Sequence, residues 1–191
     1  MNHTSYFMTK LTDEAVWEHL QVLLREYDPE MEQKHIVFLS ALEELAEAGA
    51  DAAAFHRAII AATVSDALFA FQKGMEANLY HFQHPYVTGF TDLDYNDTFQ
   101  EYVMMLQPKR AAAEIAIEKI RAEYFQEDMP WCETINEYIS DLEILVPKIM
   151  HFEGYIAGNV WFALAIPGYC EDSALTRIYS MQIYQYLGTP G

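Results

Sequence analysis

Residues 13–49 read DEAVWEHLQVLLREYDPEMEQKHIVFLSALEELAEAG, and this stretch decides the fold class. Val16, Trp17, Leu20, Leu23, Leu24 and Tyr27 recur at three- and four-residue steps, the spacing that gathers side chains on one face of an α-helix. Asp13 and Glu14 stand where the positive end of that helix favours acids. Asp28-Pro29 stops the first helix and starts the second. Asp28 serves as cap and Pro29 as first helical residue, a position with no intrahelical use for an N–H. The second helix carries Ile36, Leu39, Leu42 and Leu45 and ends at Gly49.

Outward from there the helical period continues. Asp51 caps a third helix whose stripe runs Val64, Leu68, Phe71, Met75, Leu79 and Phe82. Gly74 lies inside it at a propensity cost of about 1 kcal/mol relative to Ala, which points to a kink or a close approach. A loop rich in Pro, Gly, Thr and Asp spans Gln83 to Asn96, and Asp97 with Gln100 then resembles a capping box. The short helix it opens passes through Phe99, Tyr102, Val103 and Leu106, and Pro108 separates it from a helix containing Ile115, Ile120 and Tyr124. A further stripe runs Trp131, Ile135, Tyr138, Leu142, Leu145 and Ile149, bent or ended near Pro147. The apolar run Tyr155–Ile166 follows, stopped by Pro167-Gly168, and Ser173 caps a last helix that ends at Gly188. No alternating strand pattern and no internal repeat appears. The expectation is an all-α, single-domain helical bundle of about seven or eight helices over residues 1–191. Residues 1–10 read as a flexible start, and loop 83–96 is the one candidate internal boundary.

Composition narrows the function classes. The 191 residues are 52% hydrophobic and 21% charged, a globular balance. A chain of this length buries about 70% of its extended surface on folding, so its core needs no disulfide or metal. Twenty-nine acids against eleven Lys and Arg leave a formal charge of −18. That charge argues against direct nucleic-acid binding, which needs cations to displace phosphate counterions, and against an anionic membrane surface. Two cysteines, Cys132 and Cys170, suit a reducing, cytoplasmic setting. The first ten residues lack the pattern of a signal peptide. Tyr155–Ile166 would rise only about 18 Å as a helix, short of a bilayer core of about 30 Å.

The acids are densest in two places. Between Glu26 and Asp51 eight acids meet one base, Lys34; between Arg121 and Lys148 seven acids (Glu123, Glu127, Asp128, Glu133, Glu137, Asp141 and Glu143) meet none. Glu133, Glu137 and Asp141 stand at successive i,i+4 positions, where like charges destabilise a helix by roughly 0.2–0.5 kcal/mol per pair. Such a ridge is either a solvated face or a docking surface whose field draws in a basic partner. The thirteen tyrosines, with Trp161 and Phe162, supply polar-tipped aromatic rings suited to a core, an interface or a pocket mouth.

Candidate chemistry is sparse. Asp92-Leu93-Asp94-Tyr95-Asn96 begins like an EF-hand loop, but Asp97 replaces the Gly at position six and Val103 the Glu at position twelve. His81 and His84 have a spacing that can share zinc, with Asp92 or Asp94 to complete the shell. Glu32-Gln-Lys-His35 matches one Glu-x-x-His unit of a di-iron bundle, which needs two. His151-Phe-Glu153 lacks the Pro-Cys-x-x-Cys of a zinc deaminase. No nucleophile elbow and no phosphate-binding loop is present.

Glu43-Glu44-Leu-Ala-Glu47 is similar to the Glu-Glu-x-x-Glu signature of the all-α nucleoside-triphosphate pyrophosphohydrolases, the MazG and dimeric dUTPase group. The resemblance implies a Mg²⁺-dependent enzyme with carboxylates beside the nucleotide phosphates and two further ligands from a later Glu-x-x-Asp. Here Thr63-Val-Ser-Asp66 supplies Asp66 alone of those two. The primary expectation is a non-enzymatic, acidic protein-interaction module: an inhibitor, an immunity-type protein or a nucleic-acid mimic. It needs no cofactor and docks a basic or nucleic-acid-binding protein through Glu133, Glu137, Asp141 and Glu143, flanked by Glu123, Glu127 and Asp128; homo-oligomers are compatible with it. The alternative is the Mg²⁺ hydrolase using Glu43, Glu44, Glu47 and Asp66.

Overall fold

The Asp28-Pro29 and Gly49–Asp51 signals act as helix punctuation. In the computed structural model, which describes residues 13–81, 94–126 and 129–165, helix α1 covers Asp13–Tyr27 and α2 Glu30–Glu47. The Asp28 carboxylate accepts the Glu30 N–H at 3.1 Å, supplying a partner for one of the donors that every helix start leaves open. At the far end Gly49 takes φ +99°, a left-handed conformation that only glycine adopts without strain. Its N–H donates to Ala46 and the Ala50 N–H to Leu45, the paired bonds of a Schellman stop. The Asp51 carboxylate then accepts the Ala54 N–H at 2.9 Å and opens α3, Ala52–His81. Helix α4 is Asp94–Tyr124 and α5 is Pro130–Ala165.

The described residues thus form five helices and no strand, an all-helical fold. The count of about seven or eight is not reached within them, for a definite reason. Pro108, read as a break, and Pro147, read as a bend or an end, lie inside α4 and α5. An interior proline costs about 3 kcal/mol through its lost N–H and its clash with residue i−4. The apolar period nevertheless stays in phase across both sites. Leu142, Val146, Ile149 and Met150 are all buried around Pro147, and Leu106, Ala113 and Ile117 around Pro108. Burying a large aliphatic side chain contributes about 1.5–3 kcal/mol, so continuing each helix is favoured over ending it. The loop from Gln83, the His84 ligand, the Asp92 end of the EF-hand-like stretch, Cys170 and the helix capped by Ser173 lie outside the described residues.

The chain divides into two compact units, residues 13–67 with 104–149 in one and residues 68–81, 94–103 and 150–165 in the other. In the first, α1 packs on α2. Phe55 meets Phe125 at 5.7 Å while Asp66 pairs with Arg110, which sets α3 antiparallel to α4. Lys34 pairs with Asp141 while Phe38 stacks on Tyr138, which sets α2 antiparallel to α5. The core gathers Leu20, Leu24, Phe38, Leu45, Phe55, Ile59, Ile135 and Leu142.

Several stripes differ from their sequence reading: Tyr27 on α1 and Ile115 on α4 are exposed, and α2 departs furthest. On α2 the buried residues are Met31, Phe38, Ala41, Leu42 and Leu45, whereas Ile36 and Leu39 are exposed. Phe38 has the larger side chain to bury, and it packs on the rings of Tyr138 and His56.

In the second unit, α3 and α5 approach backbone to backbone. A Cβ added to Gly74 would overlap the carbonyl of His151, and one added to Gly154 would overlap that of Phe71. Close approach, rather than a kink, accounts for Gly74. One helix segment, Ala52–Gly74, is long and apolar enough to cross a membrane; half of its most apolar window is buried inside the protein.

Candidate functional site

Helix α5 carries Glu133, Glu137, Asp141 and Glu143 and places them on different sides of itself. Glu133 and Glu137 are exposed and make no ion pair among the described residues. Asp141, one turn on, is half-buried and holds the Lys34 ammonium at 2.6 Å, a contact that raises the lysine pKa. Glu143 stands about 200° around the axis from Asp141 and lines a cleft formed with α3 and α4. Glu123 is exposed near the end of α4; Glu127 and Asp128 lie outside the described residues. The ridge of the sequence reading therefore contains Glu133, Glu137 and the paired Asp141, with Glu143 apart from it. Exposed Val37 lies one turn beyond Lys34 and exposed Ile144 one turn beyond Asp141. Because α2 and α5 are antiparallel, these two apolar side chains fall on either side of the ion pair.

The carboxylates of the alternative reading are not brought together. Glu43, Glu44 and Glu47 are exposed on α2. Asp66 is engaged by Arg110, whose Nε donates to Oδ1 at 2.5 Å and Nη2 to Oδ2 at 3.3 Å. No group of three or more His, Cys, Asp or Glu among the described residues could hold a metal ion. The Glu32–His35 unit is also divided. Glu32 accepts from Arg25 at 3.3 Å, and the His35 ring is hydrogen-bonded to the Tyr138 hydroxyl at 2.7 Å.

The cleft is lined by Ile59, Thr63 and Asp66 from α3, Arg110, Ile117 and Arg121 from α4, and Ile139, Leu142 and Glu143 from α5, and encloses about 320 Å³. Arg110 gives three of its five N–H donors to protein carboxylates, with Asp66 on one edge and Glu114 on Nη1. Arg121 gives only one. Its Nη1 donates to Glu118 at 3.0 Å, while its Nε is buried without a partner. The sequence reading missed this site because its polar groups come from three helices far apart in the chain. Arg110 and Arg121, scarce cations in an acidic protein, were the one available signal.

A second cluster went unseen for the same reason. Trp17, His35, Phe38, His56 and Tyr138 meet inside the first unit, with Phe38 stacked on Tyr138 at 4.4 Å and His56 edge-on to Phe38 at 5.6 Å. Burial pushes the Tyr138 phenol well above its usual range. Burial also holds His19, His35 and His56 below the ordinary histidine value; Arg25 adds to the effect at His35 and His35 adds to it at His56, while Glu26 opposes it at His19.

These lowered values have a measurable consequence. Unfolded histidines take up a proton near pH 6.5, whereas the folded rings do so only at lower pH. Their contribution to stability is complete above pH 6.5 and is lost as pH falls below it toward the lowered folded values. The urea midpoint is expected to drop between about pH 7.5 and about pH 5.5, and His56→Gln to flatten that dependence. A midpoint independent of pH over this window would show that the rings titrate freely.

Comparison with family models, with curated proteins and with solved structures finds no match to this chain. The fold and the two surfaces define its class: an acidic, all-helical protein with an anionic outer ridge and an arginine-bearing cleft.

Proposed function

We propose that this chain is an acidic protein-interaction module that docks a basic protein, such as a nuclease or another nucleic-acid-binding protein, in a cytoplasmic setting. The observation that carries the reading is the pair Glu133 and Glu137. They are exposed, one turn apart, without ion pairs among the described residues, in a stretch with no Lys or Arg between Arg121 and Lys148. Exposed Val37 and Ile144 flank the adjoining Lys34–Asp141 pair. Unpaired carboxylates speed encounter with a positive patch, and apolar neighbours give the docked state area to bury.

Capture from native lysate at low and high salt tests this with two variants. Glu133→Lys/Glu137→Lys should slow association with the basic partner by about tenfold or more and weaken its salt dependence. Glu43→Lys/Glu44→Lys/Glu47→Lys, which changes the charge by more but on α2, should leave capture nearly intact. Equal losses in both variants would mean that only net charge matters and would reject the α5 surface.

A further inference from the structure

The cleft formed by α3, α4 and α5 contains donors and acceptors that the protein leaves unused. Its volume of about 320 Å³ lies at the small end of the range for ligand pockets. Ile59, Ile117, Ile139, Leu142 and Val146 give it an aliphatic lining. Arg110 is the more heavily engaged of the two, with three of its five N–H donors given to Asp66 and Glu114. It serves as a fixed wall. Arg121 differs: its Nη1 donates to Glu118 and its Nε is buried without an acceptor, which leaves Nη2, with no partner among the described residues, as the donor that a ligand can reach.

A buried unpaired donor costs about 1–3 kcal/mol, more when it belongs to a charged group. The planar edge of a guanidinium suits the two oxygens of a carboxylate. Glu143 lines the same cleft and has no ion pair among the described residues.

The local charge selects among ligands. Asp66, Glu114, Glu118 and Glu143 outnumber Arg110 and Arg121, so a simple carboxylic acid would meet a net-negative wall. A simple amine would satisfy Glu143 and leave the free Nη2 of Arg121 without an acceptor. A zwitterion answers both, with its carboxylate on Arg121, its ammonium on Glu143 and an aliphatic tail on the lining. We propose that the cleft binds a small zwitterion of the amino-acid class with an aliphatic side chain. This site is separate from the outer α5 ridge, and its test does not depend on any protein partner.

The test is calorimetric titration of the full chain with L-leucine, compared with 4-methylpentanoate, which lacks the ammonium, and 3-methylbutylamine, which lacks the carboxylate. Leucine should bind saturably, and each truncated analogue about tenfold more weakly or worse, since each loses a charge-assisted hydrogen bond. Arg121→Lys keeps the charge but loses the planar edge, and should weaken leucine by a similar factor at an unchanged urea midpoint. Should that variant fail to fold, Glu143→Gln on the exposed side supplies the same readout, with leucine weakened and the 4-methylpentanoate affinity unchanged or improved. Absence of saturable leucine binding, or an analogue binding as tightly as leucine, would overturn the proposal.

Discussion

Phe38→Ala is expected to destabilise the protein by about 3–5 kcal/mol, the range for removing a fully buried aromatic ring. Phe38 is 0% exposed and touches three other rings, stacking on Tyr138 at 4.4 Å and lying near His56 and His35 at 5.6 and 6.2 Å. Its removal subtracts more than area. The Gln21 and His56 Nε2 atoms are already buried without partners, so the new cavity would border polar groups and draw in water. Tyr138, bonded to His35, would lose the stack that orients its ring. Against a typical total stability of 5–15 kcal/mol the loss is large, and the urea midpoint should fall accordingly. Phe38→Leu fills most of the volume and should cost less than half as much. A loss below about 1 kcal/mol for the alanine variant would mean that the cluster is not the packing centre described here.

Gly74→Ala and Gly154→Ala should each destabilise by more than about 2 kcal/mol, and the sign is the diagnostic part. Glycine to alanine in a helix interior normally stabilises by about 1 kcal/mol. Here each new methyl would overlap a backbone carbonyl of the facing helix, that of His151 for Gly74 and that of Phe71 for Gly154. A backbone carbonyl cannot rotate away as a side chain can, so α3 and α5 must separate and surrender their contacts. The measurement is urea denaturation with circular dichroism to monitor helix content. A stabilised Gly74→Ala would refute the close crossing. The double variant should cost less than the sum of the singles, since once the helices have parted the second methyl meets less resistance.

Much of the fold was legible because its signals are local. The stop at Gly49, the caps at Asp28 and Asp51 and the stripe of α1 follow from backbone geometry and from a period of 3.6, both properties of a few neighbouring residues. The stripe of α2 was displaced because period alone ranks Ile36, Leu39 and Phe38 as equally apolar, and only the partner helices decide which faces inward. Pro108 was misread as a break because the local cost of proline is visible in sequence while the packing that offsets it comes from other helices; at Pro147, where the sequence offered a bend or an end, the helix does not end. The site was less legible still. Spacing alone places Glu133 and Glu137 on one ridge, but their separation from Glu143, and the pairing of Asp141 with Lys34 more than a hundred residues away, depend on helix rotation and neighbours.

By itself, then, the chain of residues established helical class, the main turns and a strongly anionic charge, since each of these is a sum or a short-range pattern. Which acids stay unpaired, why Gly74 has no side chain, and how Arg121 and Glu143 come to share one cleft were decided by tertiary packing. Distances of a few ångströms between residues far apart in the chain are set by how helices dock, and no local pattern encodes them.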